Sequence, residues 1–142
     1  MNKKKLSNSE ETLLNIFWDQ GVPLTSLEIL PLAKEYPEAA NWSMSYIHKM
    51  LGILEESEFL AVCGFVKSGK RYTRQFKPCM SKEEYVAELL TQQGVNTISF
   101  AKIAMALVKK EDKKTDRTKY EKLIDELEQM IDIFEETDQE KD

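Results

Sequence analysis

The chain has 142 residues, 42% hydrophobic and 32% charged, with a formal net charge of −5. That is enough apolar material for a packed core and excludes wholesale disorder. No apolar run approaches the roughly 20 residues of a membrane span, and the basic start Met1-Asn2-Lys3-Lys4-Lys5 is not followed by the apolar core of a signal peptide, so the expected location is the cytoplasm.

The length suits one small domain with an extended appendage. Residues 1–80 hold ten Lys/Arg against nine Asp/Glu, a charge of +1, and residues 81–142 hold ten against sixteen, a charge of −6. The acid sits in the C-terminal part, which leaves room for a basic patch in the N-terminal part. Cys63 and Cys79 are too far apart for a CxxC motif and have no His or second Cys at ligand spacing. They read as reduced thiols in or next to a strand; no metal and no cofactor is expected.

Ser7-Asn8-Ser9-Glu10 has capping-box spacing. It opens a helix with a broad apolar face, Leu13, Leu14, Ile16, Phe17 and Trp18, that stops at Gly21 and Pro23. A second box, Thr25-Ser26-Leu27-Glu28, opens a shorter helix through Ala33; Pro31 lies beyond its first turn and predicts a kink or a late start. Tyr36 to Asn41 reads as a loop, because Pro37 discourages helix at Tyr36. Ser43 then caps a third helix, from Met44 to about Ser57, with Ile47, Met50, Leu51 and Leu54 as its apolar stripe.

The period changes next. Phe59 to Val66 is rich in β-branched and aromatic residues, Lys67-Ser68-Gly69-Lys70 is a polar tip, and Arg71 to Phe76 places Tyr72, Arg74 and Phe76 on one face. This is a β-hairpin ended by Pro78. Three helices followed by a hairpin is the order of a winged helix-turn-helix.

The remainder reads as helical. Ser81-Lys82-Glu83-Glu84 is a third capping box, with a break near Gly94. A helix from Ile98 to Val108 is apolar on most sides and carries Phe100, Ile103 and Leu107. A charged loop, Lys109 to Asp116, leads to a last helix in which Tyr120, Leu123, Ile124, Leu127, Met130, Ile131 and Phe134 follow a coiled-coil-like spacing. The fold class expected is mainly α with a small β-hairpin wing. Residues 1–80 form the winged-helix DNA-binding domain, 81–137 a helical dimerisation domain, and 138–142 a disordered tail. The dimer interface is expected at Phe100, Ile103, Leu107, Leu123, Ile124, Leu127, Met130, Ile131 and Phe134.

An enzyme is not expected, and no catalytic residue is assigned. The sole histidine, His48, has no triad-like partners, the five glycines are scattered, and Glu55-Glu56 and Glu135-Glu136 read as helix-surface charge. A recognition helix presents side chains near its N-terminus to base edges. Here these are Ser43, Ser45, Tyr46, His48 and Lys49. The wing adds Lys67, Lys70, Arg71 and Arg74 for phosphates flanking the groove. Glu55, Glu56 and Glu58 would repel phosphate unless they point away. Trp18, Trp42 and Tyr72 read as packing residues.

In order along the chain, Leu6-Ser7-Asn8-Ser9-Glu10, Ile16-Phe17-Trp18-Asp19-Gln20-Gly21, Asn41-Trp42-Ser43, the wing running into Ser81-Lys82-Glu83-Glu84-Tyr85, and Ala106-Leu107-Val108-Lys109-Lys110-Glu111-Asp112 resemble the penicillinase-repressor family of the BlaI/MecI/CopY type. That family regulates β-lactamase, methicillin-resistance or copper genes. The resemblance implies a homodimer on a palindromic double-stranded DNA operator, with repression relieved by a signal; no upstream sensor or protease is identified. Family members often carry Lys, Thr and Arg on the recognition helix, where this chain has Ser45, Tyr46 and His48, so a different operator is expected. The Asn-Phe pair cut during induction of the β-lactam repressors is matched here by Ala106-Leu107, and no Cys follows Cys79 to build the copper branch's site. The alternative to a DNA-binding repressor is a winged-helix protein–protein adaptor.

Overall fold

The structure, a computed structural model, describes residues 5–112 and 121–140. It falls into two compact units, Met1–Tyr85 and Val86–Asp142.

The first unit is built from α1 (Asn8–Gln20), β1 (Leu24–Thr25), α2 (Ser26–Ala33), a single 3-10 turn (Pro37–Ala39), α3 (Met44–Glu56), β2 (Leu60–Ser68) and β3 (Arg71–Pro78). Both expected capping boxes close. Ser7 Oγ accepts from the Glu10 N–H while Glu10 accepts from the Ser7 N–H, and Thr25 and Glu28 repeat the exchange. Each pair satisfies two of the N–H groups that a helix start leaves without intrahelical partners. Gly21, at φ 69°, ends α1 in the left-handed region. α2 starts on time at Ser26 and carries Pro31 inside it, so the late start expected from Pro31 does not occur. The helix ends two residues further on, at Ala33.

The apolar stripes of the three helices meet in one core. Leu13, Leu14, Ile16 and Phe17 of α1, Ile29 and Ala33 of α2, and Ile47, Met50, Leu51 and Leu54 of α3 are all buried. Phe59, Leu60 and Phe76 close it from the sheet side. The sheet has three antiparallel strands in the order β1-β3-β2. β2 and β3 form the wing, joined by Gly69 and Lys70 with Ser68 paired to Arg71. Gly69 has φ 66° and Lys70 lies outside the left-handed region, the φ signs of a type II′ turn, whose twist suits a hairpin. Cys63 is the extra residue of a bulge between Val62 and Gly64. The short β1, which pairs Leu24 and Thr25 with Phe76 and Gln75, was not expected; two residues carry no readable alternation.

Helix α4 (Lys82–Gln92) begins with the third capping box, Ser81 with Glu84. Its Tyr85 is buried, 5.6 Å from the Trp18 ring and 6.1 Å from that of Phe59, and donates its hydroxyl to Glu11 at 2.7 Å. These contacts tie the start of α4 to the first unit, so the division falls after Tyr85 rather than after residue 80. Trp18 packs as expected and donates its indole N–H to the Met80 carbonyl at 3.1 Å.

The second unit contains α5 (Thr97–Asp112) and α6 (Glu121–Glu140). α5 continues past Val108, where a loop was expected, because Lys109 and Lys110 favour helix and complement its C-terminal dipole. Residues 113–116 of that loop, and Tyr120 of the seam, lie outside the described residues. α6 runs three residues into the segment read as a disordered tail; residues 141 and 142 lie outside the described residues. An ion pair of 3.0 Å joins Lys102, early in α5, to Glu135, late in α6, so the two helices pair antiparallel. Ala101 and Ile131 are buried. Among the described residues no helix is long and apolar enough to cross a membrane.

Candidate nucleic-acid interface

The face expected to read bases lies on α3. Ser43 caps it, its Oγ accepting from the Tyr46 N–H at 3.1 Å. That cap fixes where the first helical turn begins, and with it which side chains leave the protein surface. With Ile47, Met50, Leu51 and Leu54 buried, Ser45, Tyr46, His48 and Lys49 are left facing solvent. Trp42 stands edge-on to Tyr46, with ring centroids 5.9 Å apart. It is half-buried, a packing role at the start of α3.

The wing distributes its cations unevenly. Cross-strand pairing puts Lys67 opposite Tyr72 and Phe65 opposite Arg74, on the face that continues to buried Phe76. Ser68 pairs with Arg71 on the other face, and Lys70 sits at the tip. Lys67, Lys70, Arg71 and Arg74 are all exposed. Tyr72, expected to pack, is instead 67% exposed, and Phe65 is 65% exposed. Phe65 stands opposite Arg74 and Tyr72 opposite Lys67, so each is paired across the strands with a long cation that leaves most of its ring uncovered.

Arg74 is held in place. Its Nη1 donates to Glu55 Oε1 at 3.1 Å, and its guanidinium carbon lies 5.2 Å from the Phe76 ring centroid. Glu55 therefore points into an ion pair with a wing cation rather than standing as free charge. The pair is about half exposed and contributes roughly 0–1 kcal/mol; its main effect is on where the guanidinium sits.

A cleft of about 400 Å³ lies between the start of α2, α3 and the wing, lined by Ser26, Leu27, His48, Ser68 and Arg71 to Arg74. It brings His48, Arg71 and Arg74 together, three residues the sequence named separately. Ser26, Leu27, Ser68, Tyr72 and Thr73 were not among the DNA contacts expected from the sequence. The signal that could have found Ser26 and Leu27 is their position just after the Thr25 cap, at the start of the helix that precedes a recognition helix.

In the second unit Phe100, Ile103 and Leu107 of α5, and Leu123 and Met130 of α6, are exposed apolar side chains. Ile124, Leu127 and Phe134 are half-buried. Ile131 is already buried within the chain. Ile133, which the sequence reading passed over, is also exposed. Ala106 and Leu107 lie inside α5. Among the described residues no group of three His, Cys, Asp or Glu side chains is placed to hold a metal ion.

No curated protein matches the chain. The family described as penicillinase repressor matches residues 6–131, from the first buried leucine through α1 to α5 and into α6. With the winged-helix architecture and a match over most of its length, the chain belongs to the penicillinase repressor family of transcriptional regulators.

Proposed function

We propose that this protein is a repressor that binds a palindromic DNA operator as a homodimer. In this reading α3 enters the major groove and the wing grips the flanking backbone. The observation that carries it is the cleft that gathers a recognition-helix side chain, His48, with two wing cations, Arg71 and Arg74. Ser45, Tyr46 and Lys49 are exposed on the same helix, where they can meet base edges. The exposed apolar rows of α5 and α6 supply the surface for pairing about a two-fold axis, which would set the spacing of two half-sites.

The test is selection of bound sites from random duplexes, followed by titration of the selected and a scrambled duplex at several salt concentrations. Arg71→Ala should weaken both duplexes by similar factors and lower the salt slope by about one unit. Lys49→Ala should cost roughly 1–3 kcal/mol on the selected duplex and much less on the scrambled one.

A second reading is favoured by one observation: exposed Phe65 and Tyr72 put apolar surface on the wing, as a protein–protein adaptor would use. Binding without a salt slope, or no binding to any duplex, would favour the adaptor.

A further inference from the structure

The cleft beside the wing exists because β1 is short. β1 pairs with β3 only at Phe76 and Gln75. The edge of β3 from Arg71 to Arg74 is therefore open on that side, and an open strand edge presents unpaired backbone N–H and C=O groups. Ser26 and Leu27, the first residues of α2, and His48 of α3 form the opposite wall.

The lining has two chemical halves. Arg71, Arg74, the Ser26 and Ser68 side chains and the open strand edge can donate to an anion. Leu27, 54% exposed, and Tyr72 offer apolar surface that the fold leaves uncovered. A free small anion would use only the first half. A sugar–phosphate unit of a DNA strand uses both, with its phosphate toward the arginines and the apolar face of its deoxyribose against Leu27 and Tyr72. The cleft also opens beside the helix that reads the groove, where the strand must pass.

We propose that this cleft seats one backbone phosphate of each half-site, and that His48 takes up a proton as the phosphate enters. The proposal rests on the DNA-reading function above and adds a proton to it. Imidazole is the side chain that ordinarily changes charge between pH 5 and 8. The charged groups that line the cleft with it are Arg71 and Arg74 from the wing, Arg74 being paired to Glu55 of His48's own helix; the wing also contributes Tyr72, and α2 contributes no titratable group to the lining. A bound phosphate brings negative charge to the cleft that His48 lines, so the complex holds the imidazolium more firmly than the free protein does. By linkage, DNA affinity must then fall as pH rises through the imidazole range.

The test uses the full chain and the duplex recovered by selection, at fixed ionic strength. The association constant of the wild type should fall by about three- to thirtyfold from pH 6 to pH 8. The association constant of His48→Gln, whatever its value at pH 8, should vary by less than about twofold across the same range. His48 is also the sole histidine, so its ring C–H resonance can be followed by NMR in the wild-type protein without a variant. Its titration midpoint should move up when the duplex is bound and stay in place with inorganic phosphate at the same ionic strength. Equal pH dependence in wild type and His48→Gln, or an unmoved midpoint in the complex, overturns the proposal and leaves the DNA-reading function standing. The same midpoint shift with inorganic phosphate alone makes the cleft a free-anion site and overturns the backbone assignment. A wild type that binds no duplex with a salt slope at any pH removes the DNA-reading function itself, and this proposal with it.

Discussion

Glu55 illustrates how a residue that looks hostile to DNA in the sequence acquires a different role in three dimensions. Its carboxylate is engaged by Arg74, so part of its repulsion is cancelled, but so is part of the arginine's attraction for phosphate. Glu55→Gln should therefore raise affinity for the selected duplex several-fold and steepen the salt slope by up to about one unit. Because the pair is half exposed, stability should change by less than about 1 kcal/mol in urea melts. Two tyrosines make the opposite kind of contact. Burial, then the hydrogen bond to Glu11, then the charges of Glu11 and Glu10 push the Tyr85 phenol well up. Burial, then the bond to Asp19, then the charges of Asp19 and Glu35 push Tyr36 up to about 12. A raised folded-state value stabilises fully below the unfolded value near 10 and is lost as pH climbs through the folded value. Stability should thus decline from about pH 10 upward, with the Tyr36 part gone by about 12. Tyr36→Phe should flatten the decline between those limits. Tyr85→Phe should cost about 1–2 kcal/mol at pH 7 through the lost bond to Glu11. Denaturant melts across pH measure both.

At the scale of an element, the end of α3 carries local strain. Glu58 has φ 66°, and the Phe59 N–H reaches back to the Leu54 carbonyl at 2.9 Å while the Glu58 N–H reaches Glu55 at 3.1 Å. This is a Schellman ending with glutamate where glycine is favoured. It turns the chain sharply from α3 into β2. Glu58→Gly should stabilise the protein by about 1 kcal/mol, read as a higher urea midpoint at unchanged slope. A fall in stability would mean that the contacts of the Glu58 side chain outweigh the backbone strain. The wing shows the converse economy, since its positive φ falls on Gly69, where no Cβ opposes it.

For the whole molecule, the proposed homodimer would use the exposed apolar rows of the second unit as its pairing surface. Leu127 lies half-buried on α6 in line with exposed Leu123 and Met130. Leu127→Asp should give monomers by light scattering and weaken binding to a palindromic duplex more than to a single half-site; an unchanged mass would take this row out of the interface. The pair that the family resemblance sets against the cleavage site of the β-lactam repressors, Ala106-Leu107, lies within a continuous helix. A protease needs locally unfolded backbone, and the residues differ from Asn-Phe, so no fragment ending at Ala106 should be found by mass spectrometry in induced cells.

The helices of the first unit were legible in the sequence because their determinants are local. Ser7 with Glu10 and Thr25 with Glu28 close their boxes within a single turn. The stripe Ile47, Met50, Leu51, Leu54 marks one face by its spacing alone, and that face is the buried one. The residues left over on α3 followed by subtraction. What depends on contacts distant in sequence was not legible. β1 is two residues long and exists only because Phe76 and Gln75 pair with it from some fifty residues away; without it, neither the open edge of β3 nor the cleft can be foreseen. The Glu55–Arg74 pair spans nineteen residues, and the bond from Tyr85 to Glu11 spans seventy-four, so the division of the chain after Tyr85 rather than after residue 80 was hidden as well. Tyr72 was misread because its alternation is that of a packed strand, and periodicity records which face a side chain shares but not whether anything stands opposite that face. Local capping and periodicity are written into neighbouring residues; where a surface is covered, and which charges meet across it, is decided only when the chain closes on itself.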